Sequence, residues 1–304
     1  MSSTATLDDL SGQLAMRTEV GAVAVERDVV RASGADATTF LQGQVSQDVA
    51  GLAVGASAWS FVLQPQGKVD TWFRISRLAD DQYLLDVDGG FGPQLVARLE
   101  RFKLRVDLQL EPLAWQAVSV RGPGSTAAAQ AASGVEVAAD PEWPGVDGVD
   151  LLGPAVSIAD EVPWCAPESL EALRIEAGVP AMGSELTEDT IPEASGVVAR
   201  SVSFSKGCFT GQELVARIDS RGGNVPSRLC GVVVPGLVVP PPAGAHVLVD
   251  DEQVARLTST ARSRALDSAI GLAYVPRKVE LPGATSVDWD DGFAAARLIE
   301  LPLA

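Results

Sequence analysis

The chain has 304 residues, 46% apolar and 21% charged, which allows two or three compact units with sizeable cores and argues against disorder of the whole chain. A net charge of −17 repels nucleic-acid phosphates and anionic lipids and so argues against a nucleic-acid binder, while leaving room for a local basic pocket. No run of about 18 apolar residues marks a membrane span, and the N-terminus lacks the basic region and apolar core of a secretory signal.

Residues 1–17 read as a mobile N-terminal segment or a short helix. Residues 22–26 and 28–32 read as two short strands about a tight turn, with Asp36 as N-cap of a helix carrying Phe40 and Leu41. Residues 59–63 and 69–76 form a hairpin across Pro65-Gln66-Gly67, and 83–87 add a third strand. Pro93 opens an amphipathic helix with Leu95, Leu99 and Phe102 on one face. Leu104, Val106, Leu108 and Leu110 then alternate with polar residues, the pattern of a half-buried strand.

A second unit starts near 115–120, followed by a turn at Gly122-Pro123-Gly124, a helix over 125–132 and a loop over 140–148. Pro167 opens a helix with Leu170, Leu173 and Ala177 inward and Gly178 as its stop. Beyond a linker at 221–227, strands over 228–234, 245–249, 254–260, 270–275 and 294–300 lie between Pro/Gly-rich turns and indicate a small β-barrel or sandwich. The expected units are 1–17 as the N-terminal segment, 18–114 and 115–225 as two lobes, and 226–304 as the barrel.

Among three cysteines, Cys165, Cys208 and Cys230, none forms a C-x-x-C pair, so neither a structural zinc site nor a disulfide scaffold is expected. The plain expectation is a reduced, cytoplasmic protein. Cys208 sits in the most unusual stretch, Lys206-Gly207-Cys208-Phe209-Thr210-Gly211-Gln212-Glu213. A lysine beside a cysteine favours the thiolate, and glycines let a ligand approach the backbone. A Gly-rich turn around a packed cysteine fits the same residues. Glu176 falls at the end of the 167–177 helix, where the macrodipole disfavours a carboxylate, so a cation or a ligand with N–H donors is needed nearby. Asp70, next to Trp72, fits a pocket or a solvated strand edge. Gln42, Gln44 and Asp48 fit a cleft wall or a helix-end cap. The single histidine, His246, falls in the β-rich part and has no catalytic set around it.

The stretch from Lys206 to Glu213 resembles the K-G-C-[FY]-x-G-Q-E hallmark of the YgfZ family. Phe40-Leu41-Gln42-Gly43-Gln44 with Asp48 resembles the F-L-Q-G-Q…D-V start of the wider family that includes the glycine-cleavage T-protein. Arg174, Glu176, Ala177, Gly178 and Pro180 resemble its R-x-E-A-G-x-P helix. The resemblance implies an α+β, three-lobed T-protein-like fold around a central cavity, with a C-terminal β-barrel. It implies binding of tetrahydrofolate or a one-carbon derivative, and a role in assembly or repair of iron–sulfur client enzymes. Carried over by position, Cys208 and Lys206 are the reactive pair, and Glu176, Asp70, Gln44, Gln212 and Glu213 contact the folate, with Glu176 on the pterin. T-proteins carry an acid pair where this chain has Asp70-Thr71, a departure that weighs against aminomethyl transfer. A folate-dependent one-carbon transferase, a divergent aminomethyltransferase, is the alternative, which leaves enzymatic activity open.

Overall fold

The computed structural model describes residues 6–303. Asp8 starts helix α1 (Asp9–Thr18) by accepting the Ser11 N–H at 2.8 Å. The part of the N-terminal segment expected to be mobile is thus, from Asp8 on, a docked helix. Gly12, Gln13 and Met16 are buried. A Cβ on Gly12 would lie 2.4 Å from the Ser169 hydroxyl, so the glycine sets how closely α1 approaches its neighbour.

Strands β1 (Gly21–Val25) and β2 (Arg27–Ser33) follow, but they do not form the expected hairpin. Only Glu26 separates them, fewer residues than the two a tight hairpin turn needs. The chain instead steps from one sheet into another.

β2 belongs to the first lobe with α2 (Ala37–Gln44), β3 (Ser57–Leu63), β4 (Val69–Ala79), β5 (Gln82–Asp88), α3 (Gly92–Glu100) and β6 (Gln109–Leu113). Its sheet runs β3-β4-β5-β2-β6, all antiparallel. Phe61, Phe73, Ile75, Leu85, Leu95 and Leu99 are sealed in its core. The alternation beginning at Leu104 is strand only from Gln109. Arg105 takes φ +57, which breaks the extended chain and leaves Leu104 exposed.

The second sheet runs β1-β7-β9-β8, from β7 (Gln116–Arg121), β8 (Val137–Ala139) and β9 (Gly148–Gly153), with α4 (Ser125–Ala131) against it. Helix α5 (Pro167–Ala177) then runs between lobes. Gly178, at φ +69, ends it, and the Val179 N–H caps the Arg174 carbonyl at 3.0 Å. The next stretch, with a 3-10 turn (Pro192–Ser195), α6 (Val198–Ser201) and α7 (Gln212–Asp219), returns to the first lobe, where Met182, Leu186, Val198 and Val215 complete the core. The expected boundary at 114/115 is therefore crossed twice, by β1 going one way and by 179–219 coming back.

The barrel closes with six strands in the order β10-β13-β12-β11-β14-β15: β10 (Ser227–Pro235), β11 (His246–Val249), β12 (Glu252–Ser263), β13 (Ser268–Pro276), β14 (Gly283–Trp289) and β15 (Gly292–Ile299). The sequence pattern yields five of them. β14 escapes because Val287 is its one fully buried side chain. Ala172 and Ile175 of α5 lock onto Leu229, Val233, Ile270 and Leu272 of the barrel. No helix among the described residues is long and apolar enough to cross a membrane.

Candidate functional site

Where the two sheets and α5 meet lies a cavity of about 510 Å3. Strand periodicity builds its walls: Trp72 and Arg74 of β4 share a face, as do Ala117, Ser119 and Arg121 of β7. Trp59 and Trp72 stack with centroids 4.0 Å apart and planes 16° from parallel. The loop expected over 140–148 folds inward and contributes Trp143, while the Pro141 carbonyl accepts from Trp59 Nε1 at 3.2 Å.

Four arginines complete the wall: Arg27, Arg74, Arg121 and Arg174. Arg74 bridges Asp86 (3.1 Å) and Asp150 (2.9 Å), and Arg27 reaches Asp86 (2.6 Å) and Asp88 (2.5 Å). Arg121 meets Asp150 at 2.8 Å, and its guanidinium carbon lies 4.3 Å from the Trp143 ring centre. Burial alone would push the Asp150 carboxyl up, but Arg121, Arg74 and the Ser119 hydroxyl hold it well below the usual carboxylate range. Arg174 pairs with Glu171 (2.7 Å) and the fully buried Glu185 (3.0 Å). The Nε of Arg121 is buried with no partner, a donor left over for a ligand or a water.

The cysteine motif lies on a loop between α6 and α7, anchored on the first lobe. The Lys206 ammonium donates to the carbonyls of Gln42 (2.6 Å), Val45 (2.7 Å) and Gln47 (2.8 Å), so it clamps the loop onto the end of α2. Burial lowers its pKa to about 8, with Asp48 opposing. All three ammonium donors are used on main chain. Gly211, at φ +80, starts α7, and a Cβ there would sit 2.5 Å from the Gln64 carbonyl. Cys208 is exposed, whereas Cys165 and Cys230 are buried. Gln212 accepts from the Phe209 N–H at 3.1 Å, and Glu213 faces solvent in the first turn of α7.

The remaining expected site residues are scattered. Asp70 lies beside Gln94, which donates to its main-chain carbonyl at 2.9 Å, and its carboxylate is 3.8 Å from Arg98. Gln44 ends α2 with a buried Oε1 that lacks a partner. Glu176 is 1% exposed and accepts from Arg17 of α1 and from the Ser263 hydroxyl of β12. The compensation that a helix-end carboxylate needs is thus supplied by the protein itself. None of the seven expected residues lines the 510 Å3 cavity. From the R-x-E helix it is Arg174, not Glu176, that does. The available signal was the clustering of Trp59, Trp72 and Arg74 in one predicted hairpin.

Fold and cavity together define a protein of three interlocked lobes around a central cavity. Residues 11–145 match the GCVT N-terminal domain and residues 228–303 the glycine cleavage T-protein C-terminal barrel domain. An aminomethyltransferase of Thermus thermophilus is 30% identical over 278 residues, covering 82% of this chain and 77% of that protein. The chain belongs to the glycine cleavage T-protein family. An iron-sulfur cluster assembly factor IBA57 homolog, mitochondrial, of Mycosarcoma maydis is 29% identical over 296 residues, covering 90% of this chain and 72% of that one. The crystal structure of aminomethyltransferase T of Bartonella henselae shares the fold, with a TM-score of 0.82 over 97% of this chain and 89% of that one at 21% identity.

Proposed function

We propose that the central cavity binds tetrahydrofolate or a one-carbon derivative, and that the chain is an accessory protein for assembly or repair of iron–sulfur enzymes. The cavity carries the folate half of this reading. Its volume suits a drug-sized ligand and its stacked indoles suit a flat heterocycle. Trp59, Trp72 and Trp143 would hold the ring, and the unpartnered Nε of Arg121 offers it or its tail a donor. When bound, the folate supplies a carrier for one-carbon units. The iron–sulfur half is supported by the likeness to the Mycosarcoma assembly factor and by Cys208, the one exposed thiol among the described residues. On this reading Cys208 is the reactive group that a client reaches, and Lys206 presents it by fixing the loop.

Calorimetric titration with reduced tetrahydrofolate under anaerobic conditions tests the cavity. Wild type should bind at about micromolar affinity and Trp143→Ala at least about tenfold more weakly. No binding by folded wild type removes the folate reading. Cys208→Ser should then fail to restore iron–sulfur enzyme activity in cells depleted of the protein while binding folate as wild type does. Full rescue reduces Cys208 to a loop residue.

A folate-dependent one-carbon transferase is the second reading, favoured by the extended identity to the Thermus aminomethyltransferase. Asp70 keeps one acid of the pair expected for that reaction, but Thr71 beside it is fully buried and cannot replace the other. Formation of methylene-tetrahydrofolate at catalytic turnover would establish it.

A further inference from the structure

A second cavity, about 450 Å3, lies between the end of α5, residues 195–200, strand β10 and the C-terminal tail. Its walls are largely apolar, from Ala177, Val197, Leu229, Leu281 and Leu301. Two guanidinium groups line it, Arg200 and Arg228, and neither meets a carboxylate. Among the described residues their side chains bond only to main-chain carbonyls, Arg200 to Glu142 and Arg228 to Val279 at 3.1 Å. The Nε of each is buried without a partner.

This arrangement contrasts with that of the central cavity. The buried arginines of the central cavity, Arg74, Arg121 and Arg174, are each neutralised by at least one carboxylate. In a protein with a net charge of −17, carboxylates are abundant. The two acids of the cavity's wall, Glu142 and Glu300, are exposed. Burial disfavours the charged form of Arg200, and Glu142 offsets that only in part. The Arg200 guanidinium is nonetheless fixed in place, 5.4 Å from the ring centre of Trp72, whose Nε1 is held by the Ser201 hydroxyl at 2.9 Å. Unpaired, oriented donors in an apolar hollow are what an anion's oxygens complete, and a guanidinium presents them in a fixed fork that matches carboxylate or phosphate.

We propose that this cavity is a second ligand site, independent of the folate reading, for a small anion bearing a carboxylate or phosphate group, with Arg200 and Arg228 as its anchors. The apolar wall admits a short hydrocarbon stem behind the anionic head. Cys230, fully buried in the same wall, donates its thiol proton to the Arg228 carbonyl at 3.5 Å and is a neighbour of the site, not a nucleophile in it.

The test is calorimetric titration of the full chain with inorganic phosphate and, separately, with glutarate. At least one should bind at about millimolar affinity or better, and Arg228→Met should weaken it at least about tenfold. Binding of phosphate alone identifies a phosphate head, of glutarate alone a carboxylate head, and of both an anion site that accepts either. Tetrahydrofolate affinity serves as an independent check that the variant is folded, because Arg228 does not line the central cavity. Should Arg228→Met fail to fold, Arg228→Lys keeps the charge, loses the fork and should weaken binding severalfold. Folded wild type that takes up neither probe up to about 20 mM, or an arginine variant that binds as wild type does, overturns the site.

Discussion

Glu176→Gln separates a strut from a ligand contact. Glu176 is 1% exposed and tied to Arg17 and Ser263, so it joins α1, α5 and the barrel at one point. The substitution removes the charge but keeps the shape. The amide still bonds the serine hydroxyl, while the charge-assisted bond to Arg17, worth about 1.5–3 kcal/mol, is lost. Arg17 retains 26% exposure and can turn to water, so the larger penalty of a stranded buried charge is avoided and about 2 kcal/mol is expected. With an unfolding entropy of about 2.1 cal/mol/K per residue over 304 residues, a chain that unfolds as one unit loses about 3 °C in Tm. Differential scanning calorimetry measures this, and a parallel titration should show tetrahydrofolate affinity within about twofold of wild type. Folate binding weakened more than about tenfold at an unchanged Tm would refute the strut and return Glu176 to the ligand site.

Asp150→Asn should cost about 3 kcal/mol in chemical denaturation, because Arg121 loses its acid and Arg74 keeps only Asp86. The Asp150 carboxyl is depressed in the folded state, so its contribution is complete above the unfolded carboxylate pKa of about 3.9 and is lost as pH falls below it. Wild type should therefore lose stability more steeply than the variant below about pH 4, and parallel acid curves would contradict the buried pair. Lys206→Met removes the donor shared by three carbonyls and should raise hydrogen exchange across 203–211 while the rest of the first lobe stays protected. Equal protection in both proteins would show that the loop holds without its clamp. Iodoacetamide on the native protein should modify Cys208 alone, with Cys165 and Cys230 reacting only after unfolding, since burial pushes both thiols up. Rapid native labelling of a second cysteine would break that assignment.

Elements whose pattern is local could be read from the sequence. The β3–β4 hairpin, the start of α3 at Pro93 and the end of α5 at Gly178 each follow from a turn residue beside a periodic run. Partners distant in sequence could not. β1 and β2 look like a hairpin until β7 claims the first, and Glu176 looks like an acid awaiting a ligand until Arg17, 159 residues away, is folded against it. The cavity was hidden for the same reason. Its arginines and tryptophans come from β2, β3, β4, β7, α5 and a loop, and no short motif joins them. The K-G-C-F motif marked an exposed thiol, but its lysine is occupied with the backbone.

The crossing of the lobe boundary has a consequence during synthesis. β1 is made early, yet its neighbour in the sheet, β7, starts at Gln116, and the first lobe's core lacks Val198 and Val215 until the motif helix has been made. A ribosome-bound chain ending near residue 145, where the N-terminal domain match stops, would hold the five-stranded sheet whole but lack β9 of the second sheet and the Met182, Leu186, Val198 and Val215 share of the first lobe's core. The emerging chain therefore completes its first sheet before the core against it can be sealed. The loop that presents Cys208 belongs to the segment that finishes the first lobe, so an accessible, ordered thiol also signals that the lobe beneath it has closed.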